Sequence, residues 1–185
     1  MTKIGIIIGS TRPGRNGEAV GRWVHDLAVK RGDADYDLVD LKDRQLPHLD
    51  EPQAAASGVY HHPHTKSWSE TIAGYDGFVF VTPEYNRGMP GVLKTAIDFL
   101  YAEWNDKAAG VVGYGVSGGV RAAEQLQQVL GQLKVATVQA HVELSLHTDF
   151  EDFTVFKPLS HQEDQVNAML DQVLSWSRAL SAVRA

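Results

Sequence analysis

The chain of 185 residues contains no cysteine. Disulfides, thiolate metal centres and a cysteine nucleophile are thereby excluded. No apolar run approaches the ~20 residues that cross a bilayer, and the stretch Ile4–Ile8 is too short for the core of a secretory signal. A cytoplasmic protein is the expectation. Basic residues are in the minority, 17 against 23 acidic, for a formal net charge of −6. That balance argues against broad binding to nucleic acid or an anionic membrane and leaves room for one local basic pocket. Repeats, low-complexity tracts and linkers are missing too. One domain over 1–185 is expected, large enough to bury roughly 70% of its unfolded surface without staples.

What is present is an alternation of short β-branched runs and helical periodicity. Lys3–Gly9 reads as a buried strand, and Gly17–Lys30 as a helix with Val20, Trp23, Val24 and Leu27 on one face. Tyr36–Leu41 is a second strand. Residues 42–64, with Pro47, Pro52 and Pro63, form a long surface loop, followed by a short helix over Lys66–Ala73. Gly77–Thr82 is the clearest central strand, ended by Pro83, and Val92–Tyr101 is a helix. Ala108–Tyr114 is a strand, 120–133 a helix, Val135–Gln139 a weak strand and Gln162–Leu180 a covering helix. Five strands alternating with five helices imply an α/β chain with a parallel sheet covered on both faces. Ligands of such sheets bind beyond the carboxyl ends of the strands. The loops after strands one, three and four, rich in Gly, Pro, Ser and Asn, fall there.

The first of these loops, GSTRPGRN from Gly9 to Asn16, has the outline of a phosphate cradle: strand, turn, helix N-terminus. It is no nucleotide-triphosphate loop, because Arg15 replaces the lysine and Asn16 the magnesium-binding hydroxyl. It is no dinucleotide fingerprint either, since Thr11 stands where the second glycine belongs. Ser10, Arg12, Arg15 and Asn16 suit a terminal monophosphate held without metal. The same residues also read as a helix capped by Asn16 beside surface arginines. In the second loop Asn86-Arg87-Gly88 permits a tight turn, and Tyr85 is either an aromatic wall or a core residue. The third, Tyr114 to Gly119, has so little side-chain bulk that a ligand can lie against its backbone. It also spells G-x-S-x-G, the nucleophile-elbow pattern, with Asp149 or Asp152 and His161 following Ser117 in hydrolase order. Both readings stay open at this point. The histidines of HHPH, 61–64, read as a solvated loop rather than a metal site, because adjacent His61 and His62 cannot both point inward. Trp68 and Trp104 read as core or interface packing. Apolar residues on more than one side of the Val92–Tyr101 helix suggest a partner subunit.

Taken together, GSTRPGRN, TPEYNRGMPGVLKTAIDFL (82–100) and GYGVSGG resemble the corresponding segments of the NADPH-dependent FMN reductases. These are flavodoxin-like flavoenzymes that include chromate, quinone and azo-dye reductases. The resemblance runs from residue 3 to about 138, and PEYN followed by G-x-P-G-x-L-K-x-A-I-D is its most specific part. It implies a flavodoxin-like five-stranded sheet, non-covalent FMN, and NADPH or NADH as reductant. It also implies a small acceptor (quinone, azo, nitro, chromate or free flavin) and a homodimer or homotetramer. It places Ser10, Arg12, Arg15 and Asn16 on the ribityl phosphate, and Pro83, Glu84, Tyr85 and Asn86 beside the isoalloxazine. Gly115, Ser117 and Gly118 flank the other side of the ring. Many relatives have G-S-x-R-x-x-S-x-N; here Arg15 takes the place of the second serine and Asn16 comes one residue early. Arg87, after PEYN, faces either the NADPH phosphate or solvent. No catalytic side chain is expected, because hydride transfer needs no protein acid or base. A flavodoxin-type electron carrier is the second expectation, and a hydrolase built on Ser117 the third.

Overall fold

Alternate residues of the central strands send apolar side chains to opposite faces of one sheet, and helices cover both. A computed structural model describes residues 1–184; Ala185, the end of the expected domain, lies outside the described residues. The elements are β1 (Lys3–Ile8), α1 (Gly17–Arg31), β2 (Asp35–Asp40), α2 (Leu41–Arg44), α3 (Pro63–Ala73), β3 (Gly77–Pro83), α4 (Gly91–Asp98) and β4 (Ala108–Gly115). They continue with α5 (Val120–Gln132), β5 (Ala136–Thr137), β6 (Val142–Ser145), β7 (Phe150–Glu151), β8 (Val155–Phe156) and α6 (His161–Leu180). The parallel sheet runs β2-β1-β3-β4-β5, with β6 also paired to β4. This is the flavodoxin-like strand order.

Ile4, Ile6, Val79 and Val81 face α1 and α6, where they meet Val20, Val24, Val166, Leu170 and Val173. Ile7, Phe78, Phe80 and Val111 face α3, α4 and α5. The two-residue period of β1 and β3 therefore fills two cores, as a sheet buried on both sides requires. Trp68 and Trp104 belong to the second of these. Both are fully buried, and their indole N–H groups donate to Ala96 O (2.7 Å) and Ile97 O (3.1 Å), so burial strands neither polar atom.

Three boundaries differ from expectation. The fifth strand is not continuous over 135–139: β5 pairs with Ala108–Ala109, the chain leaves the sheet, and β6 resumes against Val112–Gly115. The loop expected over 42–64 holds the short helix α2, and α3 starts earlier, with Pro63 at its first turn. Proline fits there because the first helical amides need no intrahelical acceptor. The helix after β3 stops at Asp98, which turns Phe99 and Leu100 into the core.

Register decides where the loops meet. Ile8 pairs with Val81 and Pro83 with Tyr114, so β1, β3 and β4 end side by side. Their three loops share one edge of the sheet.

Candidate FMN site

Loop one leaves β1 with Gly9 N–H donating to Val81 O (2.8 Å). Ser10 is buried, and its hydroxyl hydrogen-bonds the Tyr114 hydroxyl at 3.2 Å. Burial pushes the Tyr114 phenol up to about 12, against the opposing effect of the Ser10 hydrogen bond, so it stays neutral. Gly17, the first residue of α1, must be glycine: a Cβ there would stand 2.7 Å from the Tyr114 hydroxyl and 2.9 Å from the Ser10 hydroxyl. The start of the helix is thus pressed onto the strand ends. Its amides at Gly17, Glu18 and Ala19 find no side-chain cap and no acceptor among the described residues.

The four candidate residues of this loop do different things. Arg12 is exposed, its guanidinium carbon 5.7 Å from the centre of the Tyr85 ring, so it spans loops one and two. Arg15 turns inward. Its guanidinium donates to Ser10 O and to the Asp40 carboxylate, and its side chain is only 4% exposed. Asn16 sits at the N-cap of α1 with helical φ and ψ and does not cap it. Its amide donates instead to Phe153 O at 2.9 Å.

Loop two is a hairpin turn. Tyr85 and Gly88 exchange backbone hydrogen bonds (2.9 and 3.1 Å) around Asn86 (φ 50°) and Arg87 (φ 70°). Two left-handed central residues make the tight turn that matches strand twist. The turn is tied down from elsewhere. Glu84 N–H donates to Tyr114 O (3.1 Å), and the Glu84 carboxylate accepts both the Arg121 amide and its guanidinium, each at 3.1 Å. Met89 N–H donates to Gln125 Oε1 at 2.9 Å. The first turns of α5 therefore hold loop two. Pro83, expected to stop β3, is its last paired residue, opposite Tyr114.

Loop three closes with Gly118 N–H on Gly115 O (3.2 Å), which also accepts Leu146 N–H (2.9 Å). Gly118 and Gly119 have φ of 67° and 74°, and a Cβ on Gly118 would come within 2.9 Å of Glu143 Cβ. Both conformation and space demand glycine. Val116 and Ser117 project to solvent at the bend. The elbow reading of Ser117 is not assembled. Buried Asp149 is engaged by Ser145 N–H (3.0 Å), Leu159 N–H (3.1 Å) and the Thr148 hydroxyl (3.0 Å). No histidine hydrogen-bonds Ser117 among the described residues. Away from this edge, His62 and His64 stack 5.2 Å apart and hold Asp50, at its carbonyl (3.2 Å) and carboxylate (3.0 Å).

A model of the NADPH-dependent FMN reductase family matches residues 2–149. The chain belongs to this family. As an FMN reductase it uses FMN as cofactor and NAD(P)H as reductant. An NAD(P)H-dependent FMN reductase of Schizosaccharomyces pombe is 44% identical over 149 residues, 80% of this chain and 74% of that one. A 2-hydroxy-1,4-benzoquinone reductase of a Burkholderia species is 27% identical, over 90% of this chain and 82% of its own. Among solved structures, a flavoenzyme NAD(P)H:(acceptor) oxidoreductase from Paracoccus denitrificans has the same fold, with TM-score 0.74. That alignment covers 95% of this chain and 98% of the other at 22% identity. The donor set of this FMN reductase fits the cofactor: uncapped helix amides and Arg12, without an ion-pair partner among the described residues, suit a dianionic phosphate, and a glycine-lined bend suits a flat ring. Asp40, Arg121, Gln125 and Phe153 complete the frame, and no local motif announced them.

Proposed function

We propose that this FMN reductase passes hydride from NAD(P)H to a small planar oxidant, a quinone or an azo compound, with FMN lying across loops one to three. FMN supplies the two-electron chemistry when bound, and the protein supplies position and electrostatics. The amides of Gly17, Glu18 and Ala19 together with Ser10, Arg12 and Asn16 take the phosphate. Arg15 holds the loop rather than the ligand. The turn Pro83–Asn86 and the bend with Gly115, Ser117 and Gly118 take the two sides of the ring. Arg87, exposed at the tip of loop two, is free to meet the phosphate of NADPH. What carries this reading is the uncapped N-terminus of α1 with Arg12 of loop one lying over Tyr85 on the same sheet edge.

A homodimer or homotetramer in the cytoplasm belongs to the same proposal. Exposed Val92 beside an apolar cavity of about 640 Å³ between α2 and α4 supports the assembly. Among the described residues no helix is long and apolar enough to cross a membrane. A relative named for a benzoquinone supports a quinone as acceptor. The test is anaerobic mixing of FMN-loaded protein with NADPH and, separately, with NADH. The flavin absorbance bleaches, and added benzoquinone or an azo dye restores it. Bleaching without recovery overturns the acceptor class; no bleaching with either nucleotide leaves an electron carrier.

A further inference from the structure

The family match ends at residue 149, and the hairpin β7–β8 follows at once. Its base is firmly held. Lys157 N–H donates to Asp149 O (2.8 Å), and Phe156 packs on Phe150 (5.1 Å between ring centres) and edge-on to Trp23 (5.3 Å). Phe150 in turn meets Tyr114, whose hydroxyl reaches Ser10. The tip is different. Asp152 and Phe153 are both left-handed, with φ of 49° and 60°. A bulky aromatic residue rarely adopts that conformation, and it persists only where the surroundings impose it.

Burial of the Phe153 side chain does not explain the strain, because the residue is 51% exposed, its ring lying T-shaped to His147. The consequence of the conformation lies in the backbone. It turns the Phe153 carbonyl back toward loop one, where it accepts the Asn16 side-chain amide. Asn16 makes no cap bond to α1, and one of its two amide hydrogens is spoken for. The other hydrogen and the plane of the carboxamide are set by that bond.

We propose that the hairpin β7–β8 is a positioning element for the cofactor phosphate: the Phe153 carbonyl holds the Asn16 carboxamide so that its second N–H serves the phosphate. This rests on the flavin reading above and adds a segment outside the family match. The hairpin contributes no atom to the ligand and acts through Asn16 alone.

The test compares dissociation constants for FMN and riboflavin, which differ only in the phosphate. Phe153→Pro forces φ near −65° and swings the carbonyl away in an exposed turn. Phe153→Gly keeps the left-handed turn and the carbonyl. Phe153→Pro is expected to weaken FMN about tenfold with riboflavin unchanged, and Phe153→Gly to match wild type. Asn16→Ala/Phe153→Pro is expected to bind FMN no more weakly than Asn16→Ala. Equal weakening of both flavins, additive effects in the double variant, or unaltered FMN binding by Phe153→Pro overturns the proposal. Wild-type protein gives a readout that needs no substitution: the Asn16 side-chain amide resonances shift on titration with FMN and not with riboflavin. Resonances unmoved by FMN overturn the proposal even if Phe153→Pro fails to fold. A wild type that binds neither flavin defeats the flavin assignment instead.

Discussion

Arg12 and Arg15 share one loop, and their surroundings give them opposite duties. Arg12 keeps its charge toward solvent beside Tyr85, where a phosphate can claim it. The charge of Arg15 is already spent on Asp40 at the end of β2, with Glu18 3.9 Å away. Removing one partner of a buried ion pair costs more than the pair is worth, because the other charge is left uncompensated. Asp40 is 15% exposed, so some solvent would soften that loss. Arg15→Ala is therefore expected to destabilise the flavin-free protein by about 2–3 kcal/mol, and Arg12→Ala by less than about 0.5 kcal/mol. For FMN affinity the order reverses: Arg12→Ala weakens it roughly 10- to 100-fold, leaving riboflavin unchanged. Thermal melts and flavin titrations on both variants check this. An Arg15→Ala protein of wild-type stability that has lost FMN would place Arg15 on the phosphate instead.

Elements with a period of their own were readable, and elements defined by distant partners were not. β1 and β3 announce themselves as apolar runs bounded by glycine and proline, and α1 and α6 by apolar residues three and four apart. β6 is four residues with only Val142 and Leu144 inward, and it is a strand because β4 pairs with it. β7 and β8 are two residues each, below any periodicity. The site divides in the same way. The Gly-, Pro- and Ser-rich loops could be picked out along the chain, and the register gathers them at one end of the sheet, whereas Asn16 and Arg15 look equivalent in GSTRPGRN until Phe153 and Asp40 arrive from elsewhere. Glu84 shows what this means for an element. Its partner Arg121 lies 37 residues on, at the start of α5, so the carboxylate clamps loop two to a helix. Glu84→Ala should loosen the turn without touching the phosphate cradle. FMN and riboflavin are then expected to weaken together, by about tenfold, in contrast to the Arg12→Ala pattern. Titration of the two flavins separates these outcomes, and an effect confined to FMN would contradict the clamp.

Across the whole molecule the two ends of the sheet are built for different ends. The carboxyl end carries left-handed turns, uncapped amides and an exposed bend. The amino end carries a polar closure. Asp76 accepts Lys3 N–H and the Arg184 guanidinium, each at 2.8 Å, and Arg184 also donates to Asp106 O (2.7 Å). Lys107 is buried beside them, only 5% exposed, its ammonium donating to Ile72 O at 2.9 Å. Burial, reinforced by the nearby Arg184 charge, pushes its pKa down to about 8 from an ordinary 10.5. At neutral pH both folded and unfolded chains carry the proton, and the folded one bears the cost of burying it. As pH rises through 8 the folded protein releases that proton while the unfolded chain keeps it until about 10.5. The unfolded state then binds more protons, so this group's contribution to stability rises with pH across that window, by about 3 kcal/mol in all. Lys107→Met removes the titration. Denaturant unfolding between pH 7 and 10 should show the difference in stability, Lys107→Met minus wild type, shrinking as pH increases. FMN affinity should be unaffected, since the lysine lies at the opposite end of the sheet from the three loops. A difference that does not change with pH would mean that Lys107 keeps its proton in the fold throughout.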